Sequence, residues 1–203
     1  MNNLPEQFHY YYWGPLLWSS KIPLPICDEF LRRGQELTIP LNENLASIIE
    51  DVKTFTKQED RKFLVDILHP YLQLYLEFSK KWYQKENVEM PELELMKYWI
   101  NFQKANEYNP EHTHGGDFSF VFYVNIPENL REENKNYTGT SAGPGAITFR
   151  YGEDNDWAAS TQSFIPEKGD LFIFPAKLAH TVFPFKCEGE RISISGNFRI
   201  VRD

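Results

Sequence analysis

The chain has 203 residues, 41% hydrophobic and 16% aromatic, enough for a sizeable core and rich enough in rings to favour a β-rich domain over a helical bundle. Its 29 acidic and 21 basic residues leave a net charge of -8, which argues against sequence-independent nucleic-acid binding, since phosphate contacts need Lys and Arg. No run of about 18 apolar residues exists, so no transmembrane helix is expected.

The opening residues, MNNLPE, lack the basic and apolar regions of a secretory signal, so the expected location is cytoplasmic. Cys27 and Cys187 lie in unrelated contexts and read as two reduced thiols.

The first half reads as helical. ICDEFLRRGQE, residues 26–36, is the first candidate helix. Residues 42–54 are the second, with Leu45, Ile48, Ile49 and Val52 at helical spacing and Asn42 as a candidate N-cap. The strongest signal runs from 59 to 85. There Phe63, Leu64, Ile67, Leu68, Tyr71, Leu74, Tyr75, Phe78 and Trp82 recur at three and four, and Pro70 should kink the run or break it into two helices.

After Pro91 the period changes to that of strands. LMKYWINFQKANE is followed by FSFVFYVNIP, GAITFRYG, QSFIP, GDLFIFPA, HTVFPF and RISISGNFRIV, separated by Gly, Pro, Asn and Asp turn signals. The polar segment 128–144 is long for a hairpin loop, a length common in lids. The expected architecture is α+β with a mainly β core of seven or eight short antiparallel strands. Residues 1–90 form a helical support region and 91–203 the β core, in one integrated domain.

Of five histidines, His112, His114 and His180 fall in the β half. Residues i and i+2 of a strand face one side, so His112 and His114 can point at one ion. Asp117 follows three positions after His114, across the permissive pair Gly115-Gly116. His180 opens a strand just after a turn, a place suited to the mouth of a cavity. A lone histidine is more often a hydrogen-bonded structural residue; the three together shift the balance toward a metal. Downstream, Arg191, Ser193 and Ser195 share one face of a strand and Ile192 and Ile194 the other. If that polar face is buried, Arg191 with Ser193 makes a carboxylate clamp; if it is open, the Arg is solvated.

In chain order these are His-x-His, two residues, Asp, about 60 residues, His, and then Arg-x-Ser. The pattern resembles the Fe(II)/2-oxoglutarate-dependent oxygenase superfamily over about residues 95–201. HTHGGDFSFVFYVN is similar to the metal strand, loop and next core strand of prolyl-hydroxylase-like members. KGDLFIFPAKLAHTVFPF is similar to their distal-histidine hairpin and RISISGNF to their clamp strand. The combination also resembles oxygenases of tailed bacteriophages.

The resemblance implies a double-stranded β-helix (jelly-roll). It implies Fe(II) with 2-oxoglutarate and O2 as co-substrates, and a hydroxylation that releases succinate and CO2. His112 matches the first metal ligand and His180 the distal one. Arg191 and Ser193 match the clamp for the co-substrate carboxylate, and Tyr123 matches a tyrosine that donates to it. The family's carboxylate position holds His114. Either three histidines form the site, or Asp117 supplies the carboxylate. Non-haem iron's preference for two His and one carboxylate favours Asp117, and strand register favours His114. Trp99, Asn101 and Gln103 share a face of the preceding strand and could line the pocket.

Two other classes fit part of the pattern. A cupin has His-x-His, a Glu three or four residues on and a second His, but needs no Arg-x-Ser clamp. A metal-free jelly-roll serving as a structural or binding module needs neither. The substrate, a prolyl or other amino-acid side chain first and a small metabolite second, is set by loops that carry no recognisable code.

Overall fold

The computed structural model describes residues 14–41, 48–156 and 158–202. The candidate cap Asn42, Leu45, His9 and Trp157 lie outside them.

Two antiparallel sheets face each other. The larger has six strands in the order β1-β8-β5-β10-β3-β2: β1 (Trp18–Lys21), β8 (Asp170–Pro175), β5 (Phe118–Asn125), β10 (Arg191–Ile200), β3 (Leu93–Gln103) and β2 (Asp51–Thr54). The smaller has four, β4-β9-β6-β7: β4 (Asn109–His112), β9 (Ala179–Val182), β6 (Ile147–Arg150) and β7 (Thr161–Phe164). Apart from the β6–β7 hairpin within the small sheet, strands after Pro91 alternate between the two sheets in the manner of a double-stranded β-helix, the fold the family resemblance implies.

The large sheet is covered on both faces, which explains the near-continuous apolar runs of β5 and β8. One face carries Ile100, Phe120, Phe122, Ile173, Ile192 and Ile194 against Phe30 of α1 (Leu24–Gln35) and Leu64, Leu68 and Tyr75 of α2 (Gln58–Trp82). Gly34 lets α1 lie close to the sheet, since a Cβ there would stand 2.3 Å from the Ile100 side chain. The opposite face sends Val121, Tyr123, Phe172 and Phe174 toward Ile147 and Phe149 of the small sheet. The two faces of β5 and β10 therefore do different work. One binds the helices and the other lines the space between the sheets.

Three expectations need correction. The second helix, predicted over 42–54, is not one where it is described. Asp51–Thr54 is β2, an edge strand on β3, and Ile49 and Val52 pack on Trp99. Ladder hydrogen bonds offered by the long β3 outweigh local helical spacing there.

Of the two outcomes expected at Pro70, the break does not occur: α2 is one helix from Gln58 to Trp82. Pro70 and Asp66, whose carbonyl loses its donor, lie on the solvent face, where water can replace the missing bond.

Segment 128–144 is not wholly loop, for it holds α3 (Leu130–Lys135). The Glu133 carboxylate of α3 accepts from the backbone N–H groups of Lys186 and Cys187, tying the segment to the β9–β10 connection.

Candidate active site

The site sits where β4 and β9 meet. Their register places His112 directly opposite His180. His114 lies two residues beyond the end of β4, and its backbone N–H donates to the Ala176 carbonyl at 2.8 Å, which holds the chain beside the turn before β9. The three rings converge, with centroids 4.3 Å apart for His112 and His180 and 5.0 Å from His114 to each. One nitrogen from each lies within 4.8 Å of the others, and among the described residues this is the one group of such side chains able to hold a metal ion.

The backbone sets which nitrogens face inward. His112 Nδ1 lies 2.7 Å from the Pro110 carbonyl and His180 Nδ1 3.0 Å from the Leu178 carbonyl. A carbonyl only accepts, so Nδ1 carries the hydrogen in both rings and Nε2 keeps its lone pair. That is the arrangement in which the outer nitrogen orients a metal-ligating imidazole.

Burial pulls all three imidazoles below their ordinary value, His114 to about 3 and His180 to about 4, with the neighbouring imidazoles adding to the effect in both. At neutral pH the cluster is a set of three neutral nitrogen donors, which suits divalent iron, zinc, nickel or copper.

Asp117 is elsewhere. Gly116 takes a φ of 92° and approaches the Phe198 carbonyl so closely that a Cβ would stand 2.6 Å from it. That turn carries the chain from the small sheet to the large one, and the Asp117 carboxylate accepts from the backbone N–H of Ile200 at 2.8 Å and from the Arg202 guanidinium. The glycine pair, read in the sequence as freedom for the carboxylate to swing in, directs it to β10.

Behind the histidines the cavity runs between the sheets to Arg191, past Trp99, Asn101, Asn109, Tyr123 and Ser193. The buried-face reading of β10 is the one that applies, with Arg191 only 2% exposed. Its Nε donates to Gln103 Oε1 at 2.9 Å, its Nη2 donates to the same oxygen, and its Nη1 donates to the Gly145 carbonyl. A guanidinium has five N–H groups, so one hydrogen remains on each terminal nitrogen. Among the described residues no carboxylate forms an ion pair with it, and burial pulls it below its ordinary value.

The Tyr123 ring lies 5.8 Å from the guanidinium, and burial pushes its phenol up to about 12, so it stays protonated at neutral pH. Ser193 Oγ accepts from Asn101 Nδ2 at 3.2 Å. The Oδ1 atom of Asn109 is buried without a hydrogen-bond partner among the described residues.

Sequence reading missed Gln103 as Arg191's partner, Gly145 and Asn109. The alternation of Trp99, Asn101 and Gln103 on β3 was the available signal for the first. Gly145 sits at the end of a segment that has no period, and β4 is too short to show one.

The low values of the imidazoles have a consequence for the metal-free protein. An unfolded histidine titrates near 6.5 and the folded ones lower, so below that pH the unfolded chain binds more protons. Stability is fully present above about pH 6.5 and falls as pH drops toward the folded values, by at most about 1.4 kcal/mol per pH unit for each imidazole. Glu29 and Glu167, held low by Arg32 and Lys21 respectively, act only below about 4.5. Urea melts of chelator-treated protein between about pH 6.5 and 5 should show this fall, and a shallower one in His114→Asn. An identical slope in that variant would count against the imidazoles as its source.

A metal-capable cluster at the mouth of a double-stranded β-helix, with a buried cation deeper in the same cavity, defines a class, and comparisons with known proteins place the chain in it. The family model described as "Putative 2OG-Fe(II) oxygenase" matches residues 97–197, which run from within β3 to within β10. Solved structures share the fold at low identity. The viral collagen prolyl hydroxylase of Paramecium bursaria Chlorella virus-1 is 16% identical, with a TM-score of 0.58 over 91% of this chain and 96% of its own. A prolyl-4-hydroxylase of Pseudomonas putida is 15% identical, with a TM-score of 0.57 over 92% and 93%. HygX of Streptomyces hygroscopicus, with nickel, 2-oxoglutarate and hygromycin B bound, is 11% identical, with a TM-score of 0.57 over 93% and 84%. A search of the curated proteins finds no match. The chain belongs to the Fe(II)/2-oxoglutarate oxygenase superfamily. No described helix is long and apolar enough to cross a membrane.

Proposed function

We propose that the protein is an Fe(II)- and 2-oxoglutarate-dependent dioxygenase. It hydroxylates an amino-acid side chain, of the prolyl type, or a small metabolite, and releases succinate and CO2. The observation that carries this reading is Arg191, a buried guanidinium with no acidic partner among the described residues, in the same cavity as three neutral imidazoles. A buried unpaired charge is costly, and a bound carboxylate offsets it.

In this reading His112, His114 and His180 hold the iron, and Asp117 does not. The two Nδ1 hydrogen bonds fix the rings of His112 and His180 before metal arrives. Arg191 takes the distal carboxylate of 2-oxoglutarate on its remaining N–H groups, and the protonated Tyr123 phenol and Ser193 hydroxyl are donors beside it. With iron, 2-oxoglutarate and O2 bound, the metal supplies the oxidative decarboxylation and the oxidising equivalent that takes a hydrogen from substrate. Trp99, beside His114, and Phe174, beside His180, keep the metal side of the cavity apolar and restrict water.

Three neutral ligands leave the full charge of Fe(II) uncompensated by protein. That charge and Arg191 together complement a dianionic co-substrate. The region 1–90 acts as support, its helices covering the outer face of the large sheet.

The similarity to two prolyl hydroxylases favours an amino-acid side chain as substrate, and that to HygX leaves room for a small metabolite. The test is succinate release from 2-oxoglutarate with Fe(II) and O2 across a panel of proline-containing peptides and metabolites. Metal binding with no 2-oxoglutarate turnover would favour a cupin-like metalloprotein. Metal retention unaffected by His180→Ala would favour a jelly-roll binding module.

A further inference from the structure

Gln103 is the residue directly opposite Arg191 in the β3–β10 ladder. Its amide is locked at both ends. Nε2 donates to the Glu107 carbonyl at 2.6 Å and faces the Phe183 carbonyl at 3.4 Å, so the oxygen must face the other way. There Oε1 accepts from both Nε and Nη2 of Arg191. Both residues are 2% exposed.

A carboxylate is the commoner partner for a buried guanidinium, and here a neutral amide takes the place. The amide satisfies one edge of the fork and turns the rest of it toward the cavity. It leaves the positive charge intact, with the Gly145 carbonyl as the other neutral support.

We propose that Gln103 is a positioning residue that makes the co-substrate pocket selective for an oxo acid with a second, distal carboxylate. It holds Arg191 in place without cancelling its charge, so the ligand must bring the counter-charge. This rests on the dioxygenase reading of the site.

The isosteric change Gln103→Glu reverses the device. One carboxylate oxygen would pair with Arg191 and neutralise it, while the other would face two carbonyl oxygens where the amide donated. Gln103→Met keeps the charge and removes the positioning.

The experiment is calorimetric titration of the Mn(II)-loaded full chain with 2-oxoglutarate and with 2-oxopentanoate, which has the same chain length and an uncharged tail. For 2-oxoglutarate, affinity should fall at least about 30-fold in Gln103→Glu and about tenfold in Gln103→Met, the scale of losing or misplacing a buried charge pair. For 2-oxopentanoate it should change less than about threefold in both, and Mn(II) affinity should stay at the wild-type value, because neither ligand set touches the altered groups. Gln103→Glu protein that binds 2-oxoglutarate as wild type does, or that loses both oxo acids equally with Mn(II) retained, would overturn the proposal, the second result assigning Gln103 a merely structural role. Wild-type protein that binds Mn(II) and neither oxo acid would overturn the co-substrate reading itself, and this inference with it.

Discussion

Affinity for Fe(II) or Mn(II) should fall more than about 100-fold in His180→Ala and in His112→Ala, given that even the partners behind metal ligands cost 10- to 100-fold when removed. Asp117→Ala should stay within about threefold of wild type, because a group that neither ligates nor orients a ligand contributes little. The contrast follows from the turn at Gly116. His112 and His180 are opposite each other in a hydrogen-bonded pair of strands, each with Nδ1 on a backbone carbonyl. Asp117 is engaged by the Ile200 N–H at the end of β10 and by Arg202 just beyond it. Bringing its carboxylate to the metal would break both bonds and unwind the Gly116 turn. Competition with a chromophoric chelator measures all three proteins. An Asp117→Ala protein as defective as His180→Ala would restore the two-histidine, one-carboxylate alternative. In Asp117→Ala the loss of the Arg202 and Ile200 contacts should appear in stability instead, as about 1 kcal/mol for the bond to the backbone N–H.

Arg191→Met should weaken 2-oxoglutarate binding at least about 30-fold, the low end of what truncating a buried charge pair costs. Mn(II) affinity should not change. Desolvation sets the size of the loss. Arg191 is already buried and already held by Gln103 and Gly145, so ligand binding need not order it. The gain on binding is then almost wholly the neutralisation of a charge in a medium of low dielectric. Arg191→Lys should not restore it. An ammonium cannot span Gln103 and a carboxylate at once, and its shorter reach leaves the Gly145 carbonyl without a donor. Titration of the Mn(II)-loaded variants decides the matter, and unaltered 2-oxoglutarate affinity in Arg191→Met would remove the clamp from the proposed mechanism.

Most of the β core was legible because its strands carry two kinds of signal at once. FSFVFYVN and RISISGNF have strand composition along their length, and RISIS also alternates, with Ile192 and Ile194 toward the helices and Ser193 and Ser195 toward the cavity. The shorter strands were harder. β1, β2 and β4 have four residues each, too few to establish a period; β1 and β2 pair with the longer β8 and β3, and β4 with the equally short β9. That is why 51–54 reads as helix and folds as an edge strand. Pro70 is the opposite case. A strong local signal for a break is overridden because Leu64, Leu68, Leu72 and Tyr75 bury one continuous helical stripe across it.

For the site, the candidates were already visible along the chain: the spacing of His112 and His114, the distant His180, and the polar face of β10 that begins with Arg191. These are properties of one strand at a time, and strand periodicity is local. Which of these groups meet is a matter of how the two sheets pack. Whether His114 or Asp117 lies beside His112 depends on how the chain turns at Gly116 to cross between sheets. Whether Arg191 is solvated or buried depends on the second sheet lying over it. Whether its partner is an acid or an amide depends on β3 pairing with β10 in the register that sets Gln103 opposite. Each is a contact between residues far apart in the chain. Such contacts are set by packing two sheets on a shared core, and no local pattern of residues encodes them.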